Sequence, residues 1–231
     1  MAGSTVIDEQ QIMVITPPIP TGNAKEFKVK FVLNKPNIRI PSYFGKFFKF
    51  TYYIEVILKK NILYEVTKTY EIVFLDPESM ALASNYTKTE KIDFRPITFD
   101  LILDHTQYST QDNITGLIKF PKNELSGIES IDISISLKET LRGSKSNEEE
   151  ILRYQVVDGC PMPGSNISFI IQLAPYQLWV TKFDNSNKLN AQYFLHVLLS
   201  RHGKDGTYVE NVCNVALNLI YKKLENKGKK Y

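Results

Sequence analysis

Cysteine is scarce in this 231-residue chain: only Cys160 and Cys213 occur. Two cysteines in a chain this long do not make a disulfide framework, so the fold must rest on a packed core. Histidine is nearly as rare, with His105, His196 and His202 scattered along the sequence. No His-Glu-x-x-His and no paired Cys-x-x-Cys is present, so the usual zinc spacings are missing. Glycine-rich phosphate cradles and a Gly-x-Ser-x-Gly elbow are absent too, which removes the common nucleotide and hydrolase signatures. No apolar run approaches the ~20 residues that a membrane span needs. The opening "MAGSTVIDEQQIMVITPPIP" lacks the basic start and long apolar stretch of a secretory signal, so a cytoplasmic location is expected. The Asn-x-Ser/Thr triplets at Asn85, Asn113 and Asn166 then carry no meaning as glycosylation sites.

Charge of one sign is also lacking, with 28 Lys and Arg against 25 Asp and Glu. Much of the excess sits in the tail "YKKLENKGKKY", read as a solvated C-terminus, with contact to anionic lipid or nucleic acid as the alternative. Basic residues are not interleaved with aromatics as a nucleic-acid groove requires, so no nucleic-acid partner is expected. No cofactor, metal or enzymatic activity is expected either. Carboxylates are plentiful, but nothing selects a general acid–base pair. Cys160 near Asp158 reads as an inert turn cysteine rather than an activated thiol. His196, inside "YFLHVLL", reads as a hydrogen-bonded core or inter-sheet residue rather than a ligand.

What the chain has in quantity is strand-forming residues, including 13 Tyr and 13 Phe. In "FFKFTYYIEVILKK" Phe48, Phe50, Tyr52, Ile54, Val56 and Leu58 alternate with a more polar set, predicting a long strand with one buried face. In "IESIDISISLKE" Ile131, Ile133, Ile135 and Leu137 alternate with Asp132, Ser134, Ser136 and Lys138. Further strands are expected at 11–16, 26–33, 67–75, 97–104, 114–120, 150–157, 166–173, 191–200 and 208–220. Turn-rich stretches such as "NKPN", "DPES" and "HGKDG" separate them. Regular strands without a full-length helix predict antiparallel β-sandwiches. The least strand-like stretch, 76–96, reads as a linker between a module at 1–75 and another at 97–231, with a short helical turn around 78–84. The second module has enough strands to close a sandwich. The first has four, leaving free edges and an apolar face that needs a cover.

Several segments taken in order resemble the arrestin-fold subunit of retromer, the vacuolar protein sorting twenty-six family. They are "ILRYQVVDGCPMPGSNISFIIQL", "DNSNKLNAQYFLHVLL", "IPSYFGKFFKFTYYIEVILKK" and "TGNAKEFKVKFVL". The resemblance runs with gaps from about residue 19 to 220. It implies an all-β, arrestin-like pair of sandwiches whose N-terminal one is incomplete, since the family opens with further strands. It also implies a non-enzymatic adaptor that binds a helical-solenoid subunit and works with sorting nexins and cargo tails, peripherally on endosomal membrane. "VTKTYEIVF" is slightly similar to the related retriever subunit. An arrestin-fold subunit of another assembly, completed by a neighbouring chain, is therefore the alternative.

The resemblance places partner binding at "VVDGCPM": Val156, Val157, Asp158, Pro161 and Met162. Two β-branched residues at a strand end lose little entropy on binding and make a rigid anchor. Asp158, Gly159, Pro161 and Gly164 would shape the turn. The competing reading makes Val156 and Val157 ordinary strand residues, one facing in and one out.

Overall fold

The computed structural model describes residues 41–61, 64–75, 88–94, 97–105, 107–122, 127–141, 145–180, 189–203 and 206–221. The chain divides into two compact units, Met1–Arg39 and Ile40–Tyr231, and the described residues all belong to the second. The strands expected at 11–16 and 26–33 and the helical turn at 78–84 lie outside them.

The architecture is all-β, as the alternation predicts. Two short strands, β1 (Tyr43–Phe44) and β2 (Lys49–Phe50), pair antiparallel, and β3 (Tyr52–Asn61) forms a ribbon with β4 (Tyr64–Ile72). Then follow β5 (Lys88–Phe94), β6 (Ile97–Leu103), β7 (Gln107–Ser109), β8 (Asn113–Lys119), β9 (Ile128–Leu141), β10 (Lys145–Asp158), β11 (Asn166–Gln172), β12 (Leu189–Gly203) and β13 (Gly206–Ile220). They build a five-stranded sheet in the order β10-β9-β12-β13-β7 and a four-stranded sheet in the order β11-β8-β6-β5. All pairs are antiparallel except β13 with β7, which run parallel.

Strand β5 falls inside the stretch 76–96 that reads as a linker. Its sequence KTEKIDF mixes charged and apolar residues, a composition suited to the sheet edge it occupies and weak as a strand signal. The ribbon β3–β4 departs from expectation as well. Tyr52 and Ile54 are half-buried, but Val56 and Leu58 on the same face are exposed. Alternation separates an apolar from a polar face; it does not say that the apolar one is covered.

The core follows from the register. Ile131, Ile133, Ile135 and Leu137 lie opposite Leu199, Val197, Leu195 and Tyr193, all buried. Phe99, Leu101 and Leu103 of β6, Ile114 and Ile118 of β8, and Phe169 and Ile171 of β11 join them in one apolar cluster, so the two sheets are the halves of one sandwich.

One residue on the core-facing side of β9 breaks the apolar pattern. Glu139 is 1% exposed, yet its carboxyl is fully engaged. Oε1 accepts the Tyr43 hydroxyl at 2.9 Å, and Oε2 accepts the backbone N–H groups of Phe47 at 2.9 Å and Lys46 at 3.1 Å. Gly45 is required beside it, because a Cβ there would lie 1.9 Å from Oε1. Burial and the neighbouring Glu139 push the Tyr43 phenol far above its ordinary range. The chain's single tryptophan, Trp179, packs on Phe44 with ring centroids 4.7 Å apart, so its emission reports on this junction.

Replacing Glu139 by Ala strands the buried Tyr43 phenol and two part-buried peptide N–H groups. The expected loss is about 3 kcal/mol, since unsatisfied buried donors cost ~1–3 kcal/mol each and partial relaxation recovers some of it. Urea unfolding followed by Trp179 fluorescence measures it, and a loss below about 0.5 kcal/mol would contradict the clamp.

Candidate functional site

The corner after β10 joins the two sheets. As β10 nears its end, the register with β9 slips between Gln155 and Val157, so Val156 is an extra bulged residue. Bulges bend a strand and re-aim its side chains. Here both Val156 and Val157 are half-buried and pack against the core. Neither stands free, and neither is wholly inside.

Beyond the strand, Gly159 takes a positive φ of 84° and donates its N–H to the Glu129 carbonyl at 2.6 Å. Pro161 is buried and Met162 is 79% exposed. Gly164, at φ 73°, donates to the Pro121 carbonyl at 2.6 Å, while the Ser165 N–H closes the turn on the Met162 carbonyl at 3.0 Å. The turn is thus tied at one end to the start of β9 and at the other to the chain leaving β8. Asp158 is exposed and receives the Gln155 side-chain amide at 3.3 Å. The five expected residues form one corner, but only Met162 presents a large apolar surface. Its prominence comes from the two ties, which no local pattern announces.

Neighbours that the sequence did not point to lie at the same end of the sheet. Asp158, Ser130, Ser200 and Val209 sit side by side on β10, β9, β12 and β13. Glu129 accepts the Thr207 hydroxyl at 2.7 Å and faces His202 Nδ1 at 3.1 Å. Tyr208 and Val209 are exposed. The result is an apolar tip beside a polar rim, a composition suited to a protein contact.

Ser136, His196 and Glu148 come together on the outer face of the five-stranded sheet, a residue set that invites comparison with a hydrolytic triad. Ser136 Oγ lies 2.6 Å and Glu148 Oε1 3.3 Å from the same ring nitrogen, Nε2. A relay needs the serine and the carboxylate on opposite ring nitrogens, so the group cannot work as one. Nδ1 instead faces Asn211 at 2.9 Å and Asn214 at 2.5 Å. His196 is therefore a satisfied sheet residue, as expected. Among the described residues, no group of three or more His, Cys, Asp or Glu could hold a metal ion. Among the same residues, no helix is long and apolar enough to cross a membrane.

Comparison with known proteins supplies what the geometry alone does not. A family model described as Vacuolar protein sorting-associated protein 26 matches residues 10–204. The chain belongs to this family. It is 26% identical to the human vacuolar protein sorting-associated protein 26B over 162 residues, covering 68% of this chain and 47% of the human protein. The Xenopus laevis protein 26B-B gives the same figures. With the Drosophila melanogaster protein 26 the identity is 27% over 160 residues, covering 68% of this chain and 33% of the fly protein. The chain thus spans about half the length of its vertebrate relatives and about a third of the fly one. The Vps26 match includes the corner and the ribbon, and it ends before β13.

The two cysteines should react very differently. Cys160 is exposed, whereas burial raises the Cys213 thiol to about 11. At pH 8 the thiolate fraction of Cys213 is then about one in a thousand. Native protein should yield one fast thiol with Ellman's reagent, and the second only on unfolding. Two fast thiols in the native state would contradict this environment.

Proposed function

We propose that this Vps26-family chain is a non-enzymatic subunit of a retromer-type coat in vacuolar and endosomal protein sorting. It works peripherally on the cytoplasmic side of endosomal membrane, together with sorting nexins and cargo tails. In this reading an incomplete N-terminal arrestin-like sandwich precedes a complete C-terminal one, and the corner at Val156–Met162 docks a helical-solenoid subunit. The observation that carries the reading is Met162, exposed at the tip of a turn tied to both sheets. A side chain held forward by a rigid frame gives up little entropy on burial, which is the property of an anchor. Val156 and Val157 then act from behind, as the packed base that sets the angle of the turn.

Affinity purification of the tagged chain with mass spectrometry tests the assignment. A helical-solenoid partner is expected to co-purify. Met162→Asp should cut its recovery about tenfold while leaving the unfolding midpoint unchanged, because the side chain is solvent-facing in the isolated chain. Val156→Asp with Val157→Asn should abolish recovery too, but with lost stability, since both valines touch the core. Full recovery with Met162→Asp would remove the corner from the interface. Recovery of a different assembly would favour another arrestin-fold complex, such as one of retriever type.

A further inference from the structure

Four strands lie at the rims of the two main sheets: β10 and β7 on the larger, β11 and β5 on the smaller. Three are protected as edge strands usually are. β10 carries Glu148, Glu149, Glu150 and Arg153 and breaks register with β9 twice. β5 carries Lys88, Glu90, Lys91 and Asp93, and β7 spans three residues. β11 has none of these guards. Its sequence, NISFIIQ, contains no charge, proline or glycine, and it pairs with β8 along its whole length without a break. At an edge, such a segment is a template for another strand.

The direction of its peptide groups follows from its two ends. The Phe120 N–H donates to the Ser165 carbonyl at 3.0 Å, and the Leu173 N–H to the Asp112 carbonyl at 3.2 Å. Odd-numbered residues therefore bond toward β8, and antiparallel bonding alternates along a strand. The Asp104 N–H bonds the Thr115 carbonyl, so odd residues of β8 turn to β6 and even ones to β11, in the same phase. The N–H and C=O groups of Asn166, Ser168, Ile170 and Gln172 thus point out of the sheet edge. No strand among the described residues pairs with them. β10 does not close this side with a ladder; the sheets meet there through side chains, with the Tyr154 and Tyr176 hydroxyls 3.1 Å apart. Phe169 pins the strand in place, its ring filling the space over Gly116 where a Cβ would collide with it. All four outward-bonding residues are exposed, Ile170 by 65%.

We propose that β11 pairs with β11 of a second copy of this chain, antiparallel and about a two-fold axis centred on Phe169. Open peptide groups call for a strand as the occupant, and this sequence fits its own reverse. With Phe169 at the centre, Ser168 of one copy faces Ile170 of the other, Asn166 faces Gln172, and Ile167 faces Ile171. Amide meets amide at both ends, and the half-buried Ile167 gains an isoleucine neighbour on the core side. Even residues then lie opposite even residues, so every outward position bonds, with about eight hydrogen bonds in all. Any shift of register leaves some of these groups unpaired. The contact is isologous and closed, so it stops at a dimer rather than running on as a fibre. It joins two four-stranded sheets into one continuous sheet. Its small area places it among weak contacts, with a Kd of about 10 μM. The interface goes beyond the retromer reading and does not draw on Met162.

Sedimentation velocity of the full chain from about 1 to about 100 μM tests it, and a monomer–dimer equilibrium is expected. Ser168→Lys with Ile170→Lys sets lysine opposite lysine at both central pairs and should weaken the dimer about tenfold or more. Ser168→Glu with Ile170→Glu should do the same. These changes fall on exposed side chains, so the variants should fold, with Trp179 emission unchanged as the control. Mixed in equal amounts, the two variants should sediment as a heterodimer, because each lysine then faces a glutamate. In the wild type, the Ser168 and Ile170 amide protons should exchange several-fold more slowly at the concentration where the dimer forms. The proposal fails if the wild type stays monomeric at ~100 μM, if either variant dimerises as well as the wild type, if the mixture stays monomeric, or if those amides gain no protection. A monomeric wild type whose partner recovery in affinity purification is lost with the lysine variant overturns it in favour of an extended segment from another protein.

Discussion

A buried carboxyl, with no cation paired to it among the described residues, ties residues 43–47 to the five-stranded sheet. Glu139 lies on β9, and the groups it receives come from residues 43–47, more than 90 positions earlier. Taking a carboxylate out of water costs several kcal/mol, and only a full set of donors offsets it. Two peptide N–H groups and a phenol provide that set, and the peptide groups, being fixed by the backbone, lose little entropy in doing so. Other contacts of the described front segment gather around this point. The Ser42 N–H bonds the Phe74 carbonyl and its hydroxyl accepts the Phe74 N–H, both at 2.8 Å, which ties the chain beyond β4 to the residue preceding Tyr43. Tyr43 stacks on Phe48, and Phe44 on Trp179. The exposed Lys46–Glu149 pair sits outside this cluster and adds little by comparison.

How much of this was legible depended on distance along the chain. The isoleucine ladder of β9 and the paired strand β12 were readable because period-two alternation is local and the core is apolar on one side. Glu139 itself gave a signal: it falls in phase with Ile131, Ile133, Ile135 and Leu137, a charge on the core face. Its partners gave none, since a tyrosine and two peptide groups around Gly45 look like an ordinary turn. Strand β5 escaped because an edge strand needs little apolar alternation. The ribbon was misjudged for the opposite reason. Its alternation is regular, and regularity predicts two unlike faces without predicting that anything covers the apolar one.

The corner at 154–164 shows the same division. Asp158, Gly159, Pro161 and Gly164 announce a turn, and both glycines take the positive φ that makes them the natural choice. The bulge at Val156 and the ties to Glu129 and Pro121 are set by register and by chain crossing from one sheet to the other. They decide which side chain faces solvent: Val156 and Val157 stay half-buried while Met162 stands out. Two adjacent strand residues ordinarily face opposite ways; a bulge lets both lean on the core, and the exposed apolar position then moves into the turn.

The clamp and the corner lie at opposite ends of the five-stranded sheet. Ser130 pairs with Asp158 at one end and Glu139 with Asn147 at the other, nine residues of β9 apart, which is about 30 Å of strand. Between them runs a fully buried ladder, Ile131 to Leu137 against Leu199 to Tyr193. A close-packed sheet of this kind transmits little from a partner seated at one end to the junction at the other unless the whole sheet has a second arrangement. The clamp and the corner are therefore mechanically independent, with residues 43–47 held at one end of the sheet and Met162 exposed at the other. Contacts made independently at two ends can be combined in one assembly without either having to adjust to the other.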